Sequence, residues 1–78
     1  MNKKDFEARW RLIRGQTKIW WGLITDSDLE TVADADDKLF EYVSLLQLKY
    51  GMDRQFARNE IARRVKEFEK KVATVDPR

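Results

Sequence analysis

From Phe6 to Val72 the apolar residues return every three or four positions and nowhere alternate strictly with polar ones. At about 100° per residue that spacing lines one face of a helix, whereas a half-buried strand needs a period of two. The pattern restricts the chain to helical folds. In the first segment Phe6, Trp10, Ile13, Thr17, Trp20 and Ile24 share a face, with Trp21 beside it. Asn2 suits an N-cap, and Gly22 is placed to end this helix by taking a left-handed conformation. Gly15 falls mid-helix, where glycine costs about 1 kcal/mol relative to alanine, and so points to a close helix contact.

Three further helices are expected. Thr25 and Asp28 form a capping-box pattern with Asp in place of the usual Glu, and Asp26 and Asp28 suit the positive end of a helix dipole. This short second helix presents Leu29 and Val32, and residues 33–37 hold both its end and the cap of the next helix. From Leu39 to Tyr50 the polar side chains Glu41, Ser44, Gln47 and Lys49 scatter round the wheel, as in a central helix buried on much of its surface. Gly51 gives a C-cap signal and Asp53 opens the last helix, a spacing that predicts an αα-hairpin. There Ala57, Ile61, Val65, Phe68 and Val72 form a narrow stripe, and the other faces are almost entirely charged. Glu60 with Arg64 and Glu67 with Lys71 are i,i+4 pairs worth a few tenths of a kcal/mol each. The expectation is an all-α, single small four-helix domain over residues 1–73, with a frayed tail at 74–78 that contains the single proline.

Seventy-eight residues must share one core, which leaves no room for a second lobe or a spacious enclosed active site. Cysteine and histidine are both absent. That removes disulfides, thiolate nucleophiles, Cys/His zinc sites and the commonest general base. No enzymatic activity, cofactor or metal is expected. The net charge of +2 is too small to argue for nucleic acid by composition, but it is unevenly spread. Residues 1–24 carry +4, residues 25–41 carry −6 and residues 42–78 carry +4, so the acidic segment is placed to neutralise its neighbours. The longest nearly apolar run, 19–24, is far short of the roughly 20 residues of a membrane span. No signal-peptide pattern opens the chain, so a cytoplasmic location is expected.

Two motifs carry a resemblance. The segment Trp20-Trp21-Gly22-Leu23-Ile24-Thr25-Asp26-Ser27-Asp28-Leu29 and the later Leu46-Gln47-Leu48-Lys49-Tyr50-Gly51 resemble the CsbD-like family of bacterial general stress-response proteins, where they read W-G-x-L-T-D-D-D-L and L-Q-x-[KR]-Y-G. Trp10, Gly15, Ala57 and Ile61 fall where that family has similar residues, so the likeness runs from about Phe6 to Phe68. The stretch from Thr31 to Lys38 departs from it, as does Ser44 in place of a glycine, which leaves the geometry of the second and third helices open. The resemblance implies two crossed helical hairpins, similar to SAM-like domains, and an abundant stress protein. It supplies no catalytic residue. Some members are glycine-rich and very hydrophilic, a protectant composition of the disordered kind. A chain with 3 Gly and 42% hydrophobic residues fits it poorly.

Each remaining candidate has a plain structural explanation beside it. Three tryptophans suit ligand stacking, but Trp10 and Trp20 lie on a core stripe; Trp21, at its edge, is the one to examine for exposure. Asp26, Asp28, Glu30, Asp34, Asp36 and Asp37 lack the ordered spacing of a calcium loop and read as caps and charge balance. Asn59, Arg63, Lys66 and Lys70 line the last helix opposite its stripe and are placed to track a phosphate backbone, although Glu60, Glu67 and Glu69 flank them. Arg63, Lys66 and Lys70 are thus the candidate nucleic-acid contacts. Leu12 and Ile19 lie on the far side of the first helix, and Tyr42, Leu45 and Leu48 exceed what the stripe of the third requires. They either pack within the domain, stand scattered on the surface, or meet a partner, most simply a second copy. Leu12 and Ile19 are the candidate protein interface. The function expected is a non-catalytic structural or interaction role under stress, with weak, nonspecific nucleic-acid binding as the alternative. Neither a membrane nor a small-molecule ligand is expected.

Overall fold

The computed structural model describes residues 1–74, with side chains described as far as Val72. Of the tail expected at 74–78, residues 75–78 lie outside the described residues. Five helices follow one another: α1 (Lys3–Ala8), α2 (Trp10–Trp20), α3 (Asp26–Asp34), α4 (Lys38–Tyr50) and α5 (Arg54–Thr74). The all-α expectation stands, and no strand occurs among the described residues. Thr74 is the last residue of α5.

The four expected helices become five because the first is broken at Arg9, whose backbone sits at φ −106°, ψ 13°. Its N–H is shared between the carbonyls of Asp5 at 3.2 Å and Phe6 at 3.1 Å. This tightened turn separates α1 from α2. Neither proline nor glycine marks the place. α1 packs against α4 with Phe6 fully buried, and Ile13 and Thr17 of α2 are buried as well. Arg9 Nε also reaches Glu69 of α5 at 2.8 Å.

α4 is the hub, packed against α1, α3 and α5. Leu39, Tyr42, Val43, Leu45 and Leu46 are all buried on it, so the scattered polar residues of this segment do mark a helix covered on more than one side. Tyr42 and Leu45 are core, while Leu48 projects into solvent at 79% exposure. Gly51 ends α4 at φ 69°. That is the left-handed position that favours glycine. Asp53 then accepts hydrogen bonds from the N–H groups of Gln55 at 3.0 Å and Phe56 at 3.2 Å. These bonds cap the start of α5. α4 and α5 are thus joined by a tight turn and pack on each other.

The capping box of α3 is present. Thr25 Oγ1 accepts from Asp28 N–H at 3.1 Å, and Asp28 Oδ2 accepts from Thr25 N–H at 3.0 Å, so two otherwise orphaned donors are satisfied reciprocally. Lys49 Nζ lies 2.7 Å from the same carboxylate and ties the start of α3 to the end of α4. Lys49, with help from the Thr25 N–H, holds the Asp28 carboxyl below its ordinary value. A depressed carboxyl contributes stability above the usual carboxylate range, and loses it as pH falls through its lowered pKa.

Both remaining glycine expectations fail. Gly22 does not take a left-handed conformation, because Trp21 turns the chain instead by leaving the helix in an extended conformation, φ −135°, ψ 92°. Gly15 has nothing within 4 Å of where a Cβ would stand, so no close helix contact lies there.

Candidate functional site

That extended residue decides which tryptophan is core. A continuing helix would have left Trp21 at the edge of the stripe, but the change of direction swings it inward to 4% exposure. Its ring packs 5.9 Å from that of Tyr50, and the guanidinium of Arg64 stacks 4.4 Å from its centroid. The second contact is a cation held over an aromatic face. Trp20, the last residue of α2, stays half-buried at the margin of the core.

Beneath Trp21, a buried chain of hydrogen bonds fixes α2 to α4. Thr17 Oγ1 lies 2.6 Å from the carbonyl oxygen of Ile13 and 2.8 Å from Tyr42 Oη. A hydroxyl has one proton, and the carbonyl can only accept it, so Thr17 donates to Ile13 and Tyr42 donates to Thr17. Burial pushes the Tyr42 phenol well above its ordinary value, despite the opposing bond from Thr17. Its ring meets those of Phe6 at 5.3 Å and Trp10 at 6.3 Å, both edge-on. Edge-on is a favoured arrangement for aromatic pairs.

Outside this core, one apolar groove stands out. The stripe of α5 starts covered, with Ala57, Ile61 and Val65 buried, but Phe68 is only half-buried and Val72 is 49% exposed. Facing it is the end of α2, where Ile19 is 76% exposed. Together Ile19, Trp20 and Phe68 line a groove of about 460 Å³, with Gln16, Arg64, Glu67 and Lys71 at its rim. An apolar floor with a rim of both charge signs suits a protein contact better than a soluble anion or a nucleic-acid strand.

The sequence-predicted site residues fall apart in space. Leu12 is half-buried and packs on the core, whereas Ile19 belongs to the groove. Arg63, Lys66 and Lys70 are all exposed on α5, yet Arg63 is held by Glu60 at 2.8 Å and Glu67 at 3.2 Å. Glu67 thereby turns back to Arg63 instead of forward to Lys71. Several of the acidic residues serve caps and bridges, with Lys18 at 2.8 Å from Asp26 and Asp37 capping α4 through the Phe40 N–H at 3.1 Å. Among the described residues no cluster of three or more potential metal-ligating side chains occurs. Sequence reasoning missed Trp20 and Phe68 as site residues. The available signal was an α5 stripe longer than the helices that face it.

Known proteins place the chain in a family. A UPF0337 protein of Pectobacterium atrosepticum is 33% identical over 61 residues, which cover 78% of this chain and 84% of that protein. The chain belongs to the UPF0337 family, the CsbD-like proteins. UPF0337 protein YjbJ of Escherichia coli K12 is 31% identical over the same share of each chain, and a UPF0337 protein of Protochlamydia amoebophila is 33% identical over 60 residues. No family model and no solved structure matches the chain. The 60 to 61 residues matched are close in number to the Phe6–Phe68 span over which the chain resembles the family. In the UPF0337 fold described here, the first motif supplies the buried Trp21, the extended turn and the α3 capping box. The second supplies Leu46, Lys49, Tyr50 and Gly51. Tyr50 Oη accepts the Leu23 N–H at 2.9 Å, and Lys49 pairs with Asp28, so the two motifs join at the same corner of the molecule.

Proposed function

We propose that this UPF0337 protein is a non-catalytic, cytoplasmic stress-response protein that works by contacting another protein through the Ile19–Trp20–Phe68 groove. The groove carries the reading: it leaves large apolar side chains uncovered in a domain whose core is already complete without them. The family resemblance supports the stress role. It also supports a SAM-like pairing of two helical hairpins, of which α4 and α5 would form one. A catalytic reading has little to draw on, since histidine and cysteine are lacking and the groove presents no paired acid and base. Nonspecific nucleic-acid binding along Arg63, Lys66 and Lys70 draws less support, because Arg63 is already paired to two glutamates. Among the described residues no helix is long and apolar enough to cross a membrane.

The stress role is tested by quantifying the protein across osmotic, heat and starvation treatments, and by measuring survival of a deletion strain under whichever treatment induces it most. A several-fold rise in abundance, together with reduced survival on deletion, is the expected result. Constant abundance with unaffected survival contradicts it.

A further inference from the structure

A second site lies at the junction of α1, α4 and α5, apart from the groove. Arg9 is neutralised by Glu69, Arg14 by Glu30, and Arg63 and Arg64 by Glu60. Arg54 and Arg58 differ. Arg54 Nη1 donates to the amide oxygen of Gln47 at 2.9 Å while its guanidinium stacks 4.4 Å from the Phe40 ring centroid. Arg58 Nη2 donates to the Met1 carbonyl at 3.2 Å. Both guanidiniums are held by neutral partners, so they are oriented without loss of charge. They converge with Lys3 on a pocket also lined by Phe40 and by Asp37, the one carboxylate there. Asp37 already accepts the Phe40 N–H through Oδ1, which leaves three cations against one engaged acid.

We propose that Lys3, Arg54 and Arg58 form a binding pocket for a phosphate group. Its volume is about 120 Å³. That is several times what admits one water, yet well below the size of sites that enclose drug-sized ligands. A tetrahedral oxyanion fits inside, whereas a base and its sugar remain outside. Two guanidinium forks and an ammonium line it, the charged donors that suit phosphate oxygens. The source is either free phosphate or the terminal phosphate of a nucleotide chain, whose first base would then lie against the exposed face of Phe40. The pocket is independent of the groove, and it departs from the expectation that no small ligand binds.

The test is a titration of ¹⁵N-labelled protein with sodium phosphate at constant ionic strength. Saturable shifts are expected at the Gln47 side chain and the Phe40 amide. Arg58→Gln should weaken binding about tenfold or more, the effect of losing one charged hydrogen bond, and Lys66→Gln should leave it unchanged. Because Arg58 is exposed and its hydrogen bond goes to a backbone carbonyl, its variant keeps the fold, and Arg54→Gln serves as a second check where helicity is retained. Absence of saturable shifts, or an Arg58→Gln affinity equal to that of the wild type, overturns the proposal. Short thymidine oligonucleotides with and without a 5′-phosphate distinguish the sources. Tighter binding of the phosphorylated strand than of phosphate assigns the site to a nucleic-acid end, and equal affinity assigns it to the free anion. Equal binding of both strands, insensitive to Arg58→Gln, shows diffuse backbone contact and contradicts the pocket.

Discussion

Replacing Tyr42 by alanine is expected to lower stability by about 3–5 kcal/mol, a large part of the roughly 5–15 kcal/mol that holds a domain together. Tyr42 is fully buried, touches Phe6 and Trp10 with its ring, and is the only hydroxyl that reaches Thr17 among the described residues. The order of the milder variants is more telling. In Tyr42→Phe, Thr17 still donates to Ile13, so only one acceptor loses its partner and the cost is about 1 kcal/mol. In Thr17→Val the Tyr42 hydroxyl keeps a proton with nowhere to place it, at a cost of about 1–3 kcal/mol. Thr17→Val should therefore be the worse of the two, and the double variant should cost less than the two single costs added together. Urea unfolding of the four proteins checks this. Equal single costs that add would mean that the donor order assigned to the relay is wrong. The same burial has a consequence in alkali. The phenol's pKa is raised in the fold, so its contribution is present below the ordinary value of 10.0 and is lost as pH rises through the folded value.

Trp21→Ala is expected to cost a similar sum, about 3–5 kcal/mol, and Trp20→Ala about 1 kcal/mol or less, although the two residues are adjacent and identical. Trp21 is buried against the Tyr50 ring and beneath the Arg64 guanidinium, and its loss leaves a cavity between α2, α4 and α5. Trp20 stands half-buried at the groove, where water already reaches it, so truncation removes little buried area. Thermal unfolding of both variants separates them. Comparable losses would place Trp20 in the core and remove the groove's principal wall.

Much of the fold is legible in the sequence because its signals are local. Thr25 with Asp28, Gly51 and Asp53 each act within a few residues, and each performs the capping role its spacing implies. The break at Arg9 has no local signal. It lies between Phe6 and Ile13, both fully buried, and only the packed molecule reveals it. The two tryptophans fail for a related reason. Helical periodicity assigns faces only while the helix lasts, and α2 ends at Trp20, one residue before the change of direction reverses their roles. Of the candidate interface, Ile19 was visible as an apolar residue on a polar face. Phe68 was not, since its stripe looks like core until the helices that cover it run out. Leu12 misled because it packs against the core although it lies off the main stripe of its helix.

A groove that is the working surface of a protein folded without it can be disabled while the fold stays intact. The most direct measurement is survival of the deletion strain under the inducing stress when it carries Ile19→Glu together with Phe68→Glu, at wild-type abundance and helicity. This variant should fail to restore survival, while a control with Leu48→Glu, equally apolar and exposed but outside the groove, should restore it fully. Restoration by the groove variant at the wild-type level would contradict the groove's role.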